Sequence, residues 1–250
     1  DYKEGSRRKT ASDVSISNAC AVTPAGLQVF YRDESQGILL GAALSKSGWS
    51  YEIVDGDRTS DNRTTGDVGF SLSATSSGKS VYLLYDSVLT LSSSNFATQG
   101  EVRLAKRNSI FPEDWRYSTL DGPENGVAVA GYDVSIASYG NRVAAAWLSA
   151  SGLRLPNPDE VSFTLIDEDE SPTRVATQAH GTPGTPLLID AKGLLFGCQK
   201  RLCSLGSYSS TPKITNGAIL NGVKDSAIVT INKIRYAITS FDKRLVLVKI

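Results

Sequence analysis

Aromatic rings beside charged side chains are the residues of this 250-residue sequence best suited to chemistry. They stand in three places: Tyr31-Arg32-Asp33-Glu34, Trp49-Ser50-Tyr51-Glu52 and Trp115-Arg116-Tyr117. A Trp or Tyr face stacks on the apolar C–H face of a sugar ring, while a nearby Arg, Glu or Asp bonds its hydroxyls. Tyr31, Arg32, Trp49, Glu52, Trp115 and Tyr117 are therefore the candidate ligand-binding residues. The same residue types also serve as structure. Rings that recur in register fill the space between repeated units, burying ~150–250 Å² each, and mixed charge at a strand end is ordinary surface.

A second chemistry would use carboxylates. Asp13, Asp67 and Asp133 each open a predicted inner strand, and two carboxylates suffice for glycoside hydrolysis. Asp at a strand start equally bonds nearby backbone N–H groups. Asp55-Gly56-Asp57 with Asp61, and Asp167-Glu168-Asp169-Glu170, offer hard oxygen donors, but the first lacks the spacing and bidentate Glu of a calcium loop and reads as a solvated acidic loop. No metal site is expected, because three scattered Cys and the single His180 supply no ligand pair. His180, in a Gly/Pro stretch, reads as a surface residue. No cofactor is expected, since the phosphate-loop, nucleophile-elbow and zincin patterns are absent. Cys198 and Cys203 enclose four residues and would face each other across a tight hairpin as a disulfide, two free thiols being the alternative; Cys20 is left over.

The elements that must position these residues follow from a repeat. Trp49-Ser50-Tyr51-Glu52-Ile53-Val54-Asp55 returns as Trp115 to Asp121, as Val161 to Asp167 and faintly at Gly206, with starts 66, 46 and 45 residues apart. A period of roughly 40–50 residues made of short strands is the signature of a propeller blade. Around each copy lie short β-type runs separated by polar turns, as in Leu27–Tyr31, Ile38–Leu44, Val81–Tyr85 and Val143–Leu148. The expectation is one all-β domain over residues 1–250, a β-propeller of four-stranded antiparallel blades, five blades before six or a truncated ring. The last unit stops after Leu245–Ile250, where a fourth strand should follow. The N-terminal segment around Tyr2 and Lys3 is expected to supply it and close the ring, because an open edge exposes unpaired backbone groups. A flexible tail over 1–12 is the alternative.

Leu27-Gln28-Val29-Phe30-Tyr31-Arg32-Asp33, a Gly turn, Ile38 and then Gly48-Trp49 resemble the repeat of the fungal fucose-binding propeller lectins and, more broadly, of sialidase-like propellers. In the lectins a sugar sits between blades, held by an Arg, a Glu and aromatic rings. The resemblance implies Arg32, Glu52 and Trp49 as counterparts.

Lys plus Arg equals Asp plus Glu at 26 each, which removes the long-range field that gathers nucleic acid. No run reaches the ~18 apolar residues of a membrane helix, so no membrane insertion is expected. The chain begins at Asp1 and contains no Met, so a processed or excised product is expected, which a removed signal peptide would explain. The expectation is a non-catalytic recognition module, secreted or at the cell surface, taking a glycan or a protein partner. A furanosidase-like five-bladed hydrolase and a structural subunit of an extracellular assembly are the alternatives.

Overall fold

The computed structural model describes residues 14–56, 67–91, 97–108, 115–127, 129–139, 142–150, 159–166, 175–181, 187–190, 193–198, 201–206, 213–219, 226–232, 234–241 and 244–249. These form strands and one short 3-10 turn at Pro123–Asn125. The first meander is β1 (Val14–Thr23), β2 (Gly26–Asp33), β3 (Ile38–Ser45) and β4 (Gly48–Asp55). The second is β5 (Val68–Ser77), β6 (Ser80–Leu91), β7 (Ala97–Asn108) and β8 (Arg116–Asp121). The third is β9 (Val129–Tyr139), β10 (Arg142–Ala150), β11 (Asp159–Ile166) and β12 (Val175–Gly181). The fourth is β13 (Leu187–Asp190), β14 (Gly193–Cys198), β15 (Arg201–Gly206) and β16 (Lys213–Ile219), and last come β17 (Ser226–Ile231), β18 (Ile234–Phe241) and β19 (Arg244–Lys249). Pairing is antiparallel within each meander, and a single parallel contact, Gly100 with Val129, joins the second to the third. The outer strands β4 and β8 carry the repeated stretch, as its alternating pattern predicts. The segment expected to close the ring lies outside the described residues.

The inner strands share a device the repeat did not show. In β1, Ser15–Ser17 stand opposite the single residue Arg32; in β5, Gly69–Ser71 stand opposite Asp86; in β9, Gly131–Asp133 stand opposite Leu148. Each is a bulge at the same register, opposite the residue that follows Tyr31, Tyr85 or Trp147 on the partner strand. A bulge bends its strand and re-aims the extra side chains. Gly69 and Gly131 take left-handed φ of 81° and 88°, which favours glycine. A Cβ on Gly131 would also lie 2.5 Å from Val102 Cγ2. Gly131→Ala is therefore expected to cost roughly 2–4 kcal/mol, from backbone strain plus overpacking, read as a lower urea midpoint with an unchanged slope.

This register corrects one expectation. Asp67 lies immediately before β5, whereas Asp133 is the last bulge residue of β9 and corresponds to Ser71. The two carboxylates are not matched, and Asp13 lies outside the described residues.

Inner strands bring backbone edges together, and an unpaired edge is costly. Hydroxyls of β5 resolve this: Val134 N–H donates to Ser71 Oγ at 3.1 Å and Ile136 N–H to Ser73 Oγ at 3.2 Å. Toward β1, Ser76 Oγ donates to the Val22 carbonyl at 2.6 Å, and Ser17 Oγ to the Phe70 carbonyl. The Ser-rich inner strands thus bond their neighbours sideways.

Between the first and second meanders, and between the second and third, the core is apolar but pinned by a buried carboxylate. Asp55, ending β4, accepts Tyr85 OH at 2.7 Å and Arg103 Nη1 at 3.0 Å from the second meander. Asp121, ending β8, accepts Trp147 Nε1 at 2.8 Å and Ser149 Oγ at 3.0 Å from the third. Each also takes the N–H of the Gly that follows it. Asp55 is thus no part of a solvated acidic loop: it is 1% exposed and clasps two blades together.

Candidate functional site

The first and second meanders meet around Trp115. Strand alternation puts Arg103, Ala105 and Arg107 of β7 on the side facing the first meander. Arg103 bonds Asp55, Ala105 packs with Phe30, Leu39 and Val54, and Arg107 reaches the outer part of the interface. Arg107 Nη1 donates to Glu52 Oε2 at 2.5 Å, and Nη2 to Gln28 Oε1 at 3.3 Å. Its guanidinium stacks 4.3 Å from the centre of the Trp115 ring, which meets Phe30 edge-on at 5.8 Å. Arg107 Nε and Trp115 Nε1 are buried and bond nothing among the described residues. Two unspent donors, the acceptors Glu52 and Gln28 and an aromatic ring therefore converge at one seam.

Beneath this seam lies the Asp55 clasp. Burial and the adjacent Asp55 carboxylate hold the Tyr85 phenol well above its ordinary range, so it stays a neutral donor. Burial works against the charged Arg103 guanidinium, but Glu101 and Asp55 outweigh it and raise its pKa. Tyr117 OH donates to the Val54 carbonyl at 2.5 Å and braces the strand that carries Glu52.

Of the residues singled out from sequence, Glu52, Trp115 and Tyr117 are brought together here. Tyr31 packs on the other side of the first meander, with Ile38, Leu40, Tyr51 and Ile53. Trp49 is 47% exposed, paired with Leu44 at the opposite end of that sheet from Asp55, and joins neither group. Arg32 belongs to a separate cluster. Arg107 and Gln28 were missed, although the alternation Arg103-x-Ala105-x-Arg107 marks charge on a face that should be apolar. Cys203 is disulfide-bonded and Cys20 is free; in the β14–β15 register Cys198 stands opposite Arg201 and Cys203 opposite Phe196.

Arg32 lies where β5 begins. It is 2% exposed and donates from Nε to Glu34 Oε2 at 2.9 Å, from Nη1 to the Val68 carbonyl at 2.7 Å and from Nη2 to Asp67 Oδ1 at 3.3 Å. Its guanidinium sits 3.6 Å over the Phe70 ring. Asp86, buried beneath, accepts the Ser71 N–H at 2.9 Å. Burial pushes the Asp86 carboxyl from 3.8 to about 7, although backbone N–H groups and Arg32 pull it down.

The sign of the pH effect follows. Between about pH 4 and 7 folded Asp86 keeps a proton that the unfolded chain releases, so its contribution is fullest below pH 4 and is lost as pH rises through 7. Asp86→Asn is expected to flatten the fall in stability between pH 5 and 8, measured by urea unfolding across that range.

The sequence matches no family description and no curated protein. Solved structures do resemble the chain. A polysaccharide lyase superposes over 92% of this chain and 56% of its own, with TM-score 0.54 and 9% identity, so this chain spans just over half of that protein. An α-L-arabinofuranosidase from Lactobacillus brevis covers 93% of this chain and 89% of its own, with TM-score 0.51 and 5% identity. The hemagglutinin-neuraminidase ectodomain of parainfluenza virus 5 covers 96% and 69%, with TM-score 0.52 and 8% identity. At such identities the likeness concerns the fold, and with the meander order above it makes this chain an all-β protein of the propeller class.

Proposed function

We propose that this chain is a saccharide-recognition module that holds its ligand between the first and second meanders, on Trp115 and Arg107. The observation that carries the reading is the pair of unspent donors, Arg107 Nε and Trp115 Nε1, set beside Glu52, Gln28 and a half-buried indole. Sugar hydroxyls are both donors and acceptors, and their ring presents an apolar face, so they match this mixture where a purely apolar ligand does not. Three structural neighbours are a polysaccharide lyase, an arabinofuranosidase and a neuraminidase by name, which agrees with a glycan as ligand. Recognition is favoured over hydrolysis by register, since Asp67 and Asp133 occupy different places in their strands and Asp67 is engaged by Arg32.

A secreted or cell-surface setting belongs to the same proposal, with a Cys198–Cys203 bridge as its companion; a non-reduced chain two hydrogens lighter than the reduced one would support it. The direct test is binding of the labelled chain to a glycan array. Reproducible hits that share a terminal sugar support the reading, and an array without hits overturns it.

A further inference from the structure

We propose that the end of the molecule where β5 begins is a second saccharide subsite, with Phe70 as the stacking ring and the Glu34 and Asp67 carboxylates as acceptors for sugar hydroxyls. The inference rests on the saccharide reading above but uses none of the residues of the Trp115 seam.

Phe70 is the middle residue of the β5 bulge and is 45% exposed, an unusual place for a ring on an inner strand. The backbone around it is held in a demanding shape. Asp67 takes φ 47° and Gly69 φ 81°, and a non-glycine residue at positive φ is uncommon. Strain of this kind persists where surrounding contacts enforce it. Here they are specific: Val68 N–H donates to the Gly37 carbonyl at 3.0 Å, Arg32 bonds the Val68 carbonyl, and Asp86 accepts the Ser71 N–H. Together they turn Phe70 outward.

The polar groups are held as firmly. One buried guanidinium bonds both Glu34 and Asp67, whose side chains remain 38% and 45% exposed. A carboxylate offers about four acceptor sites, so each is oriented by Arg32 while still facing solvent. The ligand class follows from the ring. Arg32 already covers one face of Phe70, and a second cation on the other face would be repelled by the first. A neutral ligand with a C–H face and outward hydroxyls meets no such opposition, and its hydroxyls find two carboxylates at the ring edge. Arg32 and Asp86 act here as positioning residues.

The test is calorimetric titration of the intact chain with methyl α-L-fucopyranoside, methyl β-D-galactopyranoside and methyl α-L-arabinofuranoside, for the wild type, Phe70→Ala and Trp115→Ala. Phe70→Ala also removes the ring stacked on Arg32, so every titration is run below the thermal midpoint measured for that chain; Asp67→Asn, which keeps the size of the side chain, serves as a second variant. The expected result is two sites per chain for at least one glycoside, with Phe70→Ala and Trp115→Ala each removing one and Asp67→Asn weakening the Phe70 site about tenfold or more. A single site erased by Trp115→Ala and untouched by Phe70→Ala overturns this inference and leaves the seam reading standing. A single site erased by Phe70→Ala alone upholds it and overturns the seam. No binding to any of the three glycosides overturns this inference, while the seam reading stands or falls on the glycan array.

Discussion

Replacing Asp55 with Ala is expected to lower the unfolding free energy by about 3–5 kcal/mol, because it removes two buried hydrogen bonds to a charged acceptor, from Arg103 and Tyr85, and leaves the Arg103 guanidinium to Glu101. That is a large share of the roughly 5–15 kcal/mol that holds an ordinary domain together. Asp121→Ala should cost less, about 1–3 kcal/mol, since its partners Trp147 and Ser149 are neutral and lose only hydrogen bonds. A combined Asp55→Leu and Arg103→Met chain should recover part of the Asp55→Ala loss, because the buried guanidinium is gone and Glu101, 16% exposed, keeps access to water. Urea unfolding of the four chains checks the order. Equal losses at Asp55 and Asp121 would show that Glu101 suffices to hold the Arg103 guanidinium.

The second large effect concerns binding. Trp115→Ala removes the ring on which Arg107 lies and is expected to weaken the array-selected saccharide about 100-fold, which corresponds to ~2.7 kcal/mol. Arg107→Lys keeps the charge but loses the planar fork that reaches Glu52 and Gln28 while stacking, so about tenfold is expected despite the apparent conservatism. Trp49→Ala should change nothing, because Trp49 lies apart from both clusters. Titration calorimetry at matched protein concentration reads all three.

Some of this was legible in the sequence and some was not, for physical reasons. The repeat beginning at Trp49 located the outer strands because side-chain alternation is a local property. The same repeat ends in Asp, at Asp55 and Asp121, yet its neighbours suggested a solvated loop. Burial of Asp55 depends on Tyr85 and Arg103, 30 and 48 residues away, and nothing local announces them. Arg107 was missed for the same reason, since its partners Glu52 and Gln28 lie 55 and 79 residues off. Phe70 falls in the inner strand that the sequence predicts to open at Asp67, but its exposure comes from a bulge visible only once Gly69 and Ser71 are seen opposite Asp86. Sequence thus named the rings and acids, while pairing between meanders decided which of them meet.

The claim most open to direct contradiction is that the seam between the first and second meanders holds a saccharide. A crystal structure of the chain soaked with the glycan selected on the array tests it at once. The account predicts the sugar ring against Trp115, with hydroxyls within hydrogen-bond reach of Arg107 Nε and Glu52. The sugar bound elsewhere, with Arg107 and Trp115 closed against each other as in the unliganded chain, would contradict it.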